Sequence, residues 1–161
     1  MKLLKIRTGK RACNNIGFDI VKEISTQKLP EPGNTTADRV YYARCLLGYS
    51  ILTLAKTAVI SEVTISKIEH GKPAKITSLK KLSIVLKQPV CFWGCFEDLP
   101  ENILPQRIRK ARLWLGLTKK EFGALVRVNE KTVRLWENNS CEISKESLIK
   151  LKHYLDNLKT H

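Results

Sequence analysis

Val40, Ala43, Leu46 and Leu47 recur at helical spacing, and Gly48 closes the stretch they define. Thr36 is placed as the N-cap of this helix, just before Ala37. A second, short helix is expected from Ile51 to Ala58, capped by Ser50 and turning Leu54 and Ala55 inward. After a tight connection, Ser61 caps a third helix that runs to about His70 and ends at Gly71. Ser78 is expected to cap a fourth, with Leu79, Leu82, Val85 and Leu86 on one face and Pro89 as its stop.

The same order is then written a second time. Arg39, Ala43, Arg44, Leu47, Gly48, Glu62, Thr64 and Glu69 recur 68 positions later as Arg107, Ala111, Arg112, Leu115, Gly116, Glu130, Thr132 and Glu137. Apolar positions keep the offset: Val40/Ile108, Leu54/Phe122, Ile60/Val128 and Ile65/Val133. Pro105 fits the first turn of a helix, and Thr118 with Glu121 forms the capping-box pattern T-x-x-E. Asn129 caps the next helix, where Val133 and Trp136 face inward. Ser144 opens a terminal helix carrying Leu148, Leu151, Leu155 and Leu158. Leu148 and Leu151 are read as core, whereas Leu155 and Leu158 are expected beyond it, available to a second copy or a protein partner. The pattern predicts an all-α chain with a basic extension (1–35), one helical domain (36–90), an apolar and acidic linker (91–103) and a second domain (104–161).

Charge sharpens this division. The chain carries a formal net charge of +14 over 161 residues. Residues 36–90 hold nine basic and three acidic groups, 104–161 hold thirteen and six, and 91–103 hold three acidic groups with no basic one. Two cationic blocks around an acidic spacer suit two polyanion-binding units. No apolar run approaches the roughly 20 residues of a membrane span. Met1–Arg11 has no long apolar core behind its basic residues, so no secretory signal is expected. Five cysteines without disulfide spacing read as reduced thiols of a cytoplasmic protein. Cys91 and Cys95 share a helical face but lack a second Cys/His pair, so no metal site is expected. His70, His153 and His161 are scattered and no nucleophile–base set is evident, so neither catalysis nor a cofactor is expected.

The run from Tyr49-Ser50 through Leu54-Ala55 and Ile60-Ser61 to Thr64-Ile65-Ser66-Lys67-Ile68-Glu69-His70-Gly71 resembles the phage-repressor-type (XRE) helix-turn-helix family. Leu117-Thr118-Lys119-Lys120-Glu121-Phe122 with Val128-Asn129 and Thr132-Val133-Arg134-Leu135-Trp136-Glu137-Asn138 resembles the antitoxin-type regulators of that family. The resemblance implies two tandem lambda-repressor-like domains that bind duplex DNA. Two departures stand out. The glutamine usual at the start of helix two, a phosphate contact, is replaced by Ile51 and Lys119, of which Lys119 can substitute its charge. The glycine common in the tight turn is replaced by Val59 and Arg127; a retained positive φ would strain the β-branched Val59 by roughly 1–2 kcal/mol.

Carried over position by position, the resemblance implies DNA contacts from Ser61, Glu62, Val63, Ser66 and Lys67 in the first unit. The matching positions of the second are Asn129, Glu130, Lys131, Arg134 and Leu135, with Arg134 suited to bidentate pairing. Glu69 and Glu137 are read as structural partners of Arg44 and Arg112 or as backbone caps. Lys2, Lys5, Arg7, Lys10 and Arg11 offer an arm along the DNA backbone or a packed tail. Ile16, Phe18, Ile20, Val21 and Ile24 suggest that part of 14–27 packs, ahead of a turn-rich stretch at 28–34. The aromatic bridge Cys91–Phe96 is expected to pack the two domains together. Repression of transcription is the function expected. A toxin-sequestering, autoregulating antitoxin and an architectural or recombination-directionality protein remain alternatives.

Overall fold

The computed structural model describes residues 33–156 and 158. The basic arm, the apolar stretch at 16–24 and Cys13 lie outside the described residues. The described chain is all-helical: α1 (Thr36–Leu46), α2 (Ile51–Ala58), α3 (Glu62–Glu69), α4 (Ile76–Leu86), α5 (Val90–Gly94), a 3-10 turn (Phe96–Asp98), α6 (Leu104–Trp114), α7 (Lys119–Val126), α8 (Glu130–Glu137) and α9 (Lys145–Asp156).

Most helix starts fall on the residues expected from their capping chemistry. Ser50, Ser61, Thr118 and Asn129 each accept a backbone N–H from three residues ahead. Glu121 returns the bond at Thr118, accepting its backbone N–H at 2.7 Å. Ser144 likewise accepts from the Ser147 N–H. Two starts differ. The cap of α1 is Thr35 rather than Thr36, because Asp38 lies three residues on and accepts the Thr35 hydroxyl at 2.6 Å. α4 begins at Ile76 rather than after Ser78: Ile76 packs on the core, and the Ser78 and Leu79 amides already donate to the Lys75 carbonyl.

Two apolar cores result. The first joins Val40, Leu54, Ile65, Leu82 and Leu86 with Cys91, Trp93 and Phe96. The expected linker is therefore partly helical: Pro89 initiates α5, whose aromatic residues complete the first core. The second core gathers Ile108, Phe122, Val133, Trp136 and Leu151. Leu155 belongs to it, 5% exposed, and Leu158 packs against it. Both were expected beyond the core. The α9 register decides otherwise, because Leu148, Leu151 and Leu155 follow Leu79, Leu82 and Leu86 by 69 positions, one more than the earlier offset. Leu155 thus takes the place of the buried Leu86, whereas Leu148, expected in the core, is only half-buried and lies outside it.

The two units touch. Leu113 and Trp114 of α6 pack on the first core. Val90 lies 3.2 Å from where a Cβ at Gly116 (φ +68°) would sit, so glycine serves both the turn and the approach. Lys110 is buried and donates to the Glu97 carbonyl at 3.0 Å. Lys80 of α4 pairs with Glu121 of α7 at 2.7 Å.

Candidate nucleic-acid interface

The third helix of each unit, α3 and α8, is held by its inner face. Ile65 and Ile68 of α3, and Val133 and Trp136 of α8, are at most 3% exposed. The turns leading into these helices are left-handed at Val59 (φ 53°) and Arg127 (φ 59°), so the positive φ persists without glycine. In the second unit the helices approach so closely that a Cβ at Gly123 would stand 2.7 Å from the Val128 carbonyl oxygen.

A single arginine then fixes the angle of each unit. Arg44 of α1 donates through Nε and Nη2 to both Glu69 carboxylate oxygens, at 2.6 and 2.9 Å, and through Nη1 to the Tyr49 carbonyl. Arg112 repeats the arrangement on Glu137 (2.5 and 3.2 Å) and the Leu117 carbonyl. Both arginines thus tie the first helix, the loop into the second and the end of the third. The pairing expected of Glu69 and Glu137 is what the structure shows. Their carboxylates are spent on geometry and turned away from solvent, with side chains 6% and 4% exposed.

The outer faces carry the residues expected to meet DNA. Glu62, Val63 and Lys67 are exposed on α3, with Ser66 half-buried. Glu130, Lys131 and Arg134 are exposed on α8, with Leu135 half-buried. Ser61 and Asn129 sit at the two helix starts, their side chains already accepting capping bonds from Thr64 and Thr132. Lys119 differs from expectation: its ammonium leans on the buried carboxylate of Glu137 at 3.6 Å, half-buried beside the Arg112 pair.

The two faces are not equivalent. Around α2 and α3, Leu52, Val59 and Val63 are exposed (43%, 73% and 62%). At the matching positions around α7 and α8 stand the exposed Lys120, Arg127 and Lys131, with Arg134 beside them, although Leu125 of α7 is also 45% exposed. Net charge had counted Lys72, Lys75, Lys120 and Arg127 without placing them; only exposure beside α3 or α8 or its turn singles them out. Lys80 was missed too. Its ammonium, more than the Thr118 amide, holds the Glu121 carboxyl down to about 2. Burial pushes the Cys95 thiol up. No helix among the described residues is long and apolar enough to cross a membrane.

The profile of the helix-turn-helix family matches residues 40–93 and, a second time, residues 108–158. No curated protein and no solved structure matches the chain.

Proposed function

The chain belongs to the helix-turn-helix family of DNA-binding regulators through both of its units, and from that premise we propose that it is a sequence-specific repressor of transcription. The observation that carries this reading is the paired construction of α3 and α8. Each has a buried inner face, an arginine-clamped end and an exposed outer face that bears charged side chains, joined on α3 by the apolar Val63, the geometry by which a helix enters a major groove. Arg134, exposed in the middle of α8, can donate two hydrogen bonds to one guanine; Ser66 holds the same position on α3, with the exposed Lys67 one residue further on. The reading residues differ between units (Glu62, Val63, Lys67 against Glu130, Lys131, Arg134), so one chain would recognise an asymmetric site. The apolar packing of α6 on the first core and the Lys80–Glu121 pair support a fixed relation between the two halves.

Footprinting of the full chain on the DNA upstream of its own reading frame tests this. A protected region with two unlike halves is expected, Arg134→Ala erasing one and Lys67→Ala the other, each at a cost of roughly 1–3 kcal/mol. Affinity should fall with salt at a log–log slope of about −0.9 per phosphate contacted. A flat salt response with every duplex would overturn the DNA reading. One observation favours a second reading for the first unit. Its exposed Leu52, Val59 and Val63 suit a protein surface, as in an antitoxin with one DNA-reading and one partner-binding unit. A single protected half, indifferent to Lys67→Ala, would select it.

A further inference from the structure

Superimposing the repeats in register exposes a difference between the units. In the first, α5 and the 3-10 turn lie across α1 and α4. Thr36 meets Cys95, and Arg39 donates to the Phe92 carbonyl, stacks 4.6 Å from the Phe92 ring and pairs with Glu97 at 2.6 Å. The counterparts in the second unit are Leu104 for Thr36, Arg107 for Arg39 and, by the α9 register, Leu148 and Leu155 for Leu79 and Leu86. There these residues line a groove of about 340 Å³, together with Ile149, Lys152 and Asp156. Nothing among the described residues lies across it as α5 does in the first unit. Ile149 is 75% exposed, and among the described residues Arg107 reaches only the Leu155 carbonyl, at 3.5 Å.

We infer that residues 16–24 of this same chain occupy the groove. Phe18 and Glu23 are five positions apart, as are Phe92 and Glu97, so one segment can give Arg107 both the ring and the carboxylate that Arg39 receives. Ile16, Ile20, Val21 and Ile24 supply apolar cover for Leu104, Leu148 and Ile149. The groove's charged lining is Arg107, Lys152 and Asp156, net positive, and the segment's Asp19, Glu23 and Lys22, net negative, are opposite to it. The segment does not copy α5, since Asp19 and Lys22 stand where α5 and its turn have the buried Trp93 and Phe96. It matches the Arg39 contacts and not the core.

The chain can reach. Gly33, where the described residues begin, lies against Asp38, next to Arg39 and its partner Glu97. The Glu97 carbonyl in turn holds Lys110 of α6. Leu104 lies six residues before Lys110 on that helix, about 9 Å. The nine residues from 24 to 33 extend to about 30 Å.

Carbodiimide cross-linking of the full chain, with mass spectrometry of an equimolar mixture of nitrogen-14 and nitrogen-15 protein, tests the assignment. The expected product joins Asp19 or Glu23 to Lys152 within one chain. Phe18→Ala, and separately Ile149→Asn on the exposed wall, should each lower its yield about tenfold. Absence of this product, a yield unmoved by both substitutions, or mixed-isotope products, which would make a second copy the occupant, would each overturn it.

Discussion

Removing the Glu137 carboxylate should be among the most damaging single changes in the second unit. In Glu137→Ala, the Nε and Nη2 donors of Arg112 both lose their acceptor, while Nη1 keeps the Leu117 carbonyl. The Arg112 side chain is 7% exposed, so water reaches the stranded charge poorly. Two charge-assisted bonds at about 1.5–3 kcal/mol each, and the general cost of breaking a buried pair at about 3–5 kcal/mol, give the same range. A small domain has only about 5–15 kcal/mol in total. In urea, with an m-value of about 2 kcal/mol per molar, the midpoint should fall by about 2 M. Tryptophan fluorescence follows the transition, since Trp136 is buried in the second core and Trp93 in the first. Arg112→Met combined with Glu137→Leu should recover most of the loss, because neither charge is then stranded. A single-mutant loss below about 1 kcal/mol would mean that the pair is solvated and does not fix the recognition helix.

Gly123→Ala should cost about 1–3 kcal/mol in the same assay, because its Cβ would meet backbone, the Val128 carbonyl oxygen, which cannot rotate away. Val59→Gly should stabilise by about 0.5–1 kcal/mol, the left-handed strain relieved exceeding the added chain entropy at this exposed site; a loss would show that the turn carries no strain. Glu121 titrates at about 2 in the folded chain, below an ordinary glutamate. The Lys80–Glu121 bracket therefore contributes fully above pH ~4.5 and is lost as pH falls towards 2. Carbon-13 NMR of the Glu121 carboxyl should show its midpoint rising in Lys80→Met, whereas an unchanged midpoint would remove Lys80 as the cause.

Within each unit, nearly everything was legible in the sequence because the signals are local. A capping residue and the amide it satisfies lie three positions apart, and an apolar stripe repeats every turn, so Ser50, Ser61, Thr118 and Asn129 mark helix starts without reference to the rest of the chain. The 68-residue repeat added a long-range constraint: Arg44 with Glu69 and Arg112 with Glu137 recur together, as a structural pair must. The outer faces expected to meet DNA came from the resemblance, carried over position by position, and Lys67 and Arg134 are indeed exposed where Ile65 and Val133 are buried.

What the sequence did not settle was whatever depends on partners far apart in the chain. The aromatic run at 91–96 does bridge the units, α5 meeting α6, but only burial shows that Trp93 and Phe96 also complete the first core. Leu155 reads as surplus to the core until a one-residue shift in register carries it to the place of Leu86. Lys119 reads as a phosphate contact, and only the fold shows the buried Glu137 beside its ammonium; Lys80 has no visible role until Glu121 stands opposite. Periodicity fixes which face of a helix is apolar, but burial and ion pairing are decided by which other surface arrives there, and that is a property of the folded chain alone.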